Sequence, residues 1–132
     1  RIGKRKMIVP IKNRPNCGPH ALASIMEIAV SRVENAYAKR HHKGSNWKGR
    51  TNINNLVKLA SAHFGTQLKE ESAGGSLARF VKKTIIPNRR YLVRVGSHFV
   101  SIIDGKVIDQ MGCDRLESLA RKRVTHAFWI EG

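Results

Sequence analysis

The dipeptide Asp104-Gly105 stands between two strand-forming runs, and it constrains the fold of this chain more than any other feature. His98-Phe99-Val100-Ser101-Ile102-Ile103 precedes it and Lys106-Val107-Ile108-Asp109-Gln110 follows. Asp-Gly in this setting signals a two-residue hairpin turn, because a type I′ turn needs positive φ at both central positions. The predicted register pairs Ile103 with Lys106, Val100 with Asp109 and His98 with Met111. Opposed residues share a sheet face, and so do residues two apart. His98 and Asp109 are therefore expected on one face as diagonal neighbours, with Cα atoms roughly 7–8 Å apart. An imidazole and a carboxylate can hydrogen-bond across that distance. Asp104 cannot serve, since it lies in the turn, about 20 Å from His98 at strand rise.

The rest of the chain supplies helices first and strands last. Asn16 is a candidate N-cap with Pro19 in the first turn, and Leu22, Ile25, Met26, Ala29, Val30 and Val33 recur at helical spacing. One long helix is predicted, ending before Arg40 or His41. A polar loop follows over 41–52, with His41 and His42 solvated. A second helix is expected from Asn54, stopped by Gly65, with His63 on its face. Gln67 to Glu71 reads as a short strand and Leu77 to Thr84 as a short helix closed before Pro87. Arg90–Val95, His98–Ile103 and Lys106–Gln110 form a predicted meander, with a last strand over Ala127–Glu131 and His126 just before it. This order predicts an α+β fold, with helices over about 16–86 packed on an antiparallel sheet over about 89–131. The length of 132 residues fits one domain.

Cys17 lies at the predicted start of the first helix, in Asn16-Cys17-Gly18-Pro19-His20. The partial positive charge and free N–H groups of a helix N-terminus favour thiolate over thiol. The thiolate is the nucleophilic form, and the same N–H groups can receive an oxyanion. A lone cysteine is more often a buried structural residue. The helix-start position and the His98–Asp109 pair favour a working thiol here. Cys113 is expected to be a partly buried passive thiol. Two cysteines do not make a disulfide framework, which points to a reducing setting. His20 with Cys17 lacks a standard zinc spacing, so no metal or organic cofactor is expected. His126 is assigned a structural role. Trp47 and Trp129 are read as loop or core anchors rather than groove walls.

Cys-Gly-Pro opening a helix, followed much later by His-Phe-Val-x-x-x-Asp-Gly-Lys-Val-x-Asp, resembles the papain-like cysteine peptidases. The likeness is greatest to the bacteriocin-processing branch and related bacteriophage proteins. It runs in order and spacing from Cys17 onward, and in close detail only around Cys17 and from His98 to Asp109. The resemblance implies a papain-like fold and a Cys17–His98–Asp109 triad acting on a peptide or isopeptide carbonyl. The family has a Gln as oxyanion donor about six residues before its Cys; Ile11 stands there in this chain. Asn13 is the chosen substitute, with Asn16 as the alternative. Small viral leader proteases of this type cut behind their own C-terminal residue, often Gly, and Gly132 suits a self-processing variant.

Charge supplies the rival reading. Twenty-five Lys and Arg oppose nine Asp and Glu, a formal net charge of +16. That balance favours anionic partners, either nucleic acid or an acidic protein. No zinc-finger or RNA-recognition pattern accompanies it. A catalytically inactive papain-like scaffold acting as a basic binding module would fit. No apolar run reaches the roughly 20 residues that span a bilayer. The apolar stretch Met7–Pro10 after the basic start is too short for a signal peptide. The chain is expected to be soluble, cytoplasmic or virion-associated, and, beginning at Arg1 rather than Met, to be trimmed or cut from a longer protein.

Overall fold

The structure is a computed structural model and describes residues 15–131. Its elements are α1 (Cys17–Met26), α2 (Val30–Arg40), α3 (Ile53–Ala62), β1 (Lys69–Glu71), α4 (Leu77–Lys83), β2 (Arg89–Val95), β3 (His98–Ile103), β4 (Lys106–Ile108), α5 (Leu116–Leu119) and β5 (Val124–Glu131). The fold is α+β, with a five-stranded antiparallel sheet in the order β1-β5-β2-β3-β4.

The predicted hairpin forms in the predicted register, with Ile103 opposite Lys106, Ile102 opposite Val107 and Ser101 opposite Ile108. Asp104 and Gly105 both take positive φ, 53° and 78°. The sheet is nevertheless not a simple meander. β5 returns to pair with β2 rather than β4, and β1 adds to β5 from within the helical part of the chain. A short helix, α5, interrupts the sheet part. β5 also begins at Val124, earlier than predicted, so His126 lies within it.

The predicted long first helix is two helices. Apolar spacing continues through Ala29 and Val30, but the chain breaks at Glu27, which adopts a left-handed conformation with φ 59° and ψ 44°. The Glu27 N–H donates to Ser24 O and the Ile28 N–H to Ala23 O, closing α1 with a Schellman-type end. A non-glycine residue there costs about 1–2 kcal/mol. Part of the compensation comes from far along the chain: Arg90 of β2 donates to Ile25 O at 2.5 Å and approaches Glu27 at 4.0 Å. The break lets α2 fold back, and Glu34 accepts a hydrogen bond from Asn16 Nδ2 at 3.2 Å. In one straight helix those residues would lie about 27 Å apart.

The sheet carries apolar residues on both faces. Leu92, Phe99 and Phe128 pack with α1, α2 and α3, including Leu22, Ile25 and Leu59. Tyr91, Val93, Val100 and Ile102 pack with Leu77 and Phe80 of α4 and Leu119 of α5. Strand alternation produces this division. Each of Leu22, Ile25, Leu59, Leu92, Val93 and Val100 is fully buried, and each such side chain contributes about 1.5–3 kcal/mol. This packing sets the start of α1 against the start of β3. Among the described residues no helix is long and apolar enough to cross a membrane.

Candidate active site

Cys17 is the first residue of α1 and is half-buried. Asn16 occupies the N-cap position but makes no side-chain cap, because its amide is turned to Glu34. It is 3% exposed, so it is not available as an oxyanion donor. Asn13, Ile11 and Gly132 lie outside the described residues. Pro19 has no N–H, and the His20 N–H is taken by Asn16 O at 3.0 Å. The backbone N–H groups of Cys17 and Gly18 therefore remain to face the sulfur or a ligand. Gly18 is required by its surroundings, since a Cβ there would fall 2.1 Å from Thr51 Oγ1.

His98 opens β3, and its Nε2 lies 2.8 Å from Asp109 Oδ2. The ring also faces the Cys17 sulfur across the shared cleft, and each group shifts the pKa of the other. With Nε2 committed to Asp109, Nδ1 is the nitrogen left for the thiol. The imidazole thus lies between the sulfur and the carboxylate.

Asp109 reaches its place by a different local route from the predicted one. β4 ends at Ile108 rather than Gln110, and the His98–Met111 pairing does not form. Asp109 instead closes a tight turn, exchanging backbone hydrogen bonds with Gly112 at 3.0 Å in both directions. The Met111 N–H donates to Oδ1 at 2.8 Å, in the manner of an Asx turn. Arg115 Nε donates to the same carboxylate at 3.1 Å. Arg115 is itself held by its N–H, which donates to Val107 O at 2.8 Å. The Asp109 side chain is fully buried, so its charge depends on these three partners.

The electrostatics follow from this geometry. Burial works against the Asp109 carboxylate, but the bonds from His98, Met111 and Arg115 outweigh it and hold its pKa below the usual value. The Asp109 bond, then the Cys17 bond, push His98 up to about 9 against the effect of burial. Burial likewise raises the Cys17 thiol. The His98 bond, the backbone N–H of Phe99, the charge on His98 and the Gly18 N–H overcome it, and the net shift is downward. Both shifts favour the thiolate–imidazolium form of the pair.

The sulfur opens into a cleft of about 210 Å³. Its walls are Cys17 and Gly18 of α1, His98 and Phe99 of β3, and Arg50 and Thr51 of the loop before α3. Gln110, next to Asp109, also lines it. A larger cavity of about 430 Å³ lies at the other end of β2 and β3, beside Ile86 and Tyr91, and is lined by neither Cys17 nor His98.

The other singled-out residues sit elsewhere. Cys113 is exposed rather than partly buried, because it follows the turn that Asp109 closes. His20 is disfavoured as a cation by burial, with Asp109 opposing that effect. Among the described residues no group of three or more His, Cys, Asp or Glu could hold a metal. His41 is not fully solvated, since its ring packs 4.4 Å from that of Tyr37. Trp47 stacks on Tyr37 as a loop anchor, and Trp129 is 8% exposed in the core. Sequence reasoning missed Arg115, Arg50, Thr51 and Gln110. For Arg115 and Arg50 no local pattern separates them from the other basic residues; only tertiary contact selects them.

Compared with protein-family models, curated proteins and solved structures, the chain has no match in any of the three.

Proposed function

We propose that this chain is a papain-like cysteine hydrolase, a peptidase in which Cys17 is the nucleophile, His98 the acid and base, and Asp109 the orienting carboxylate. The observation that carries the reading is the single imidazole bonded to the Asp109 carboxylate and set beside the Cys17 sulfur at the mouth of one cleft. In the proposed reaction the thiolate attacks the carbonyl carbon of a peptide or isopeptide bond. The Cys17 N–H, at the free end of α1, receives the developing oxyanion. His98 gives its proton to the leaving amine, and a thioester remains on Cys17. Water then attacks the thioester as His98 takes its proton; the acid leaves and the thiolate is restored. Asp109 fixes the ring and stabilises the imidazolium. A helix start set against the first residue of an antiparallel strand also suits the papain-like assignment of the fold.

The test is site-resolved alkylation by iodoacetamide across pH, read by mass spectrometry, with exposed Cys113 as internal reference. A lowered Cys17 pKa keeps the thiolate as pH falls below the ordinary thiol range, and it is lost only when pH passes through the lowered value. At about pH 6 Cys17 is expected to label at least tenfold faster than Cys113. The imidazolium is lost as pH rises through about 9, which sets the alkaline limit of turnover. Labelling of Cys17 no faster than Cys113 at acid pH would falsify the assignment.

The charge of +16 supports a second reading, a basic module that binds nucleic acid or an acidic protein. Steeply salt-dependent DNA or RNA binding, unaffected by Cys17→Ala, is its signature.

A further inference from the structure

The loop over 41–52 reads in sequence as solvated polar chain, yet it is built to hold Arg50 at the cleft. Trp47 stacks on buried Tyr37, rings 5.4 Å apart and 6° from parallel, and its indole N–H donates to Arg50 O at 3.0 Å. Gly49, at φ +106°, lies so close to Asn16 that a Cβ would fall 2.5 Å from the Asn16 Cβ. Asn52 caps α3 by accepting from the Asn55 N–H at 2.8 Å. The backbone of Arg50 is thus fixed between a contact on the residue before Cys17 and a helix cap, and its side chain is exposed. It lines the cleft that Cys17 and His98 line. No carboxylate among the described residues pairs with its guanidinium, and no described acidic residue lines the cleft. Asp109 is fully buried and committed to His98 and Arg115, and Glu34, the carboxylate beside Gly49, accepts from Asn16.

We infer that Arg50 makes this cleft a carboxylate subsite, so that the preferred substrate is a peptide with a carboxylate beside the bond cleaved. The inference rests on the hydrolase reading above. A guanidinium receives a carboxylate through two parallel N–H donors, which fixes its orientation as well as its charge. The carboxylate comes either from an Asp or Glu side chain or from the C-terminal residue of the substrate.

The experiment compares iodoacetate with iodoacetamide, two reagents of similar size that differ in charge, as alkylators of Cys17 in the Cys113→Ser protein. The imidazolium and the overall charge also attract the anion, so the informative quantity is the change in the rate ratio on substitution. Arg50→Gln is expected to lower the iodoacetate-to-iodoacetamide ratio about two- to fivefold, the size of an exposed charge pair. Arg50→Lys retains most of the ratio, and Lys82→Gln, on α4, leaves it unchanged. Protection of Cys17 is then measured with an amidated peptide containing Glu and with an acid-free peptide ending in a free carboxylate. Arg50-dependent protection by the first assigns the subsite to a side chain, and by the second to a chain end. An unchanged ratio in Arg50→Gln, with iodoacetamide still labelling at acid pH, overturns the subsite and leaves the hydrolase reading intact. Failure of both reagents to label Cys17 at acid pH overturns both.

Discussion

The two sides of the His98 ring are built differently. On the carboxylate side everything is buried and bonded: Asp109 is fully enclosed and accepts from His98, the Met111 N–H and Arg115. On the thiol side Cys17 is half-buried, the N–H groups at the start of α1 are not capped by Asn16, and a cleft opens to solvent. The contrast separates holding from reacting. A buried carboxylate with every oxygen engaged has one position, and so has the ring it holds. A sulfur beside unspent donors can admit a substrate carbonyl.

Removing the holding side should have the largest effect. Asp109→Asn is expected to lower turnover about ten-thousandfold, the order seen when a triad carboxylate is neutralised. The Asp109 bond is the main cause of the raised His98 pKa, so the alkaline limit should move down from about 9 toward the ordinary 6.5. A rate loss with no movement of that limit would count against the orienting role. Asp109→Ala should also cost about 3–5 kcal/mol in urea unfolding, because Arg115 loses its partner.

Arg115→Ala tests the same side one step further from the chemistry. Loss of a bond from guanidinium to carboxylate is expected to cost about 1.5–3 kcal/mol. Unchanged urea stability would show that the Asx turn alone holds Asp109.

The smallest effect is predicted on the reacting side. Gly49→Ala introduces a Cβ 3.0 Å from the Asn16 Cα at a φ of +106°. It should cost about 1–3 kcal/mol and slow Cys17 alkylation, because the start of α1 must shift. Gly96→Ala, with positive φ but nothing within 4 Å of the added atom, should cost less and leave alkylation unchanged. Equal effects of the two would mean that the Gly49–Asn16 contact does not position Cys17.

The legibility of the site divides along the same line. The His98–Asp109 relation was readable because a two-residue turn and period-two alternation set which residues share a face. Even there the prediction was incomplete: β4 stops at Ile108, and the Asp109 turn, not the ladder, aims the carboxylate. The break at Glu27 was not readable. Apolar periodicity runs through it, and the groups that receive the freed backbone come from Arg90, 65 residues after Ile25. The same holds for β5, whose pairing with β2 is a choice among edges that no local pattern encodes.

What the sequence determined alone was short-range: a cysteine at a helix start, a hairpin turn, and the face that His98 and Asp109 share. These follow from dihedral preferences and side-chain periodicity, which act over a few residues. What only the tertiary structure decided was long-range: the helical break that brings Glu34 to Asn16, the burial and partners of Asp109, and the loop that sets Arg50 beside Cys17. Those arrangements depend on which surfaces meet when the core closes, and burial, not local propensity, selects them.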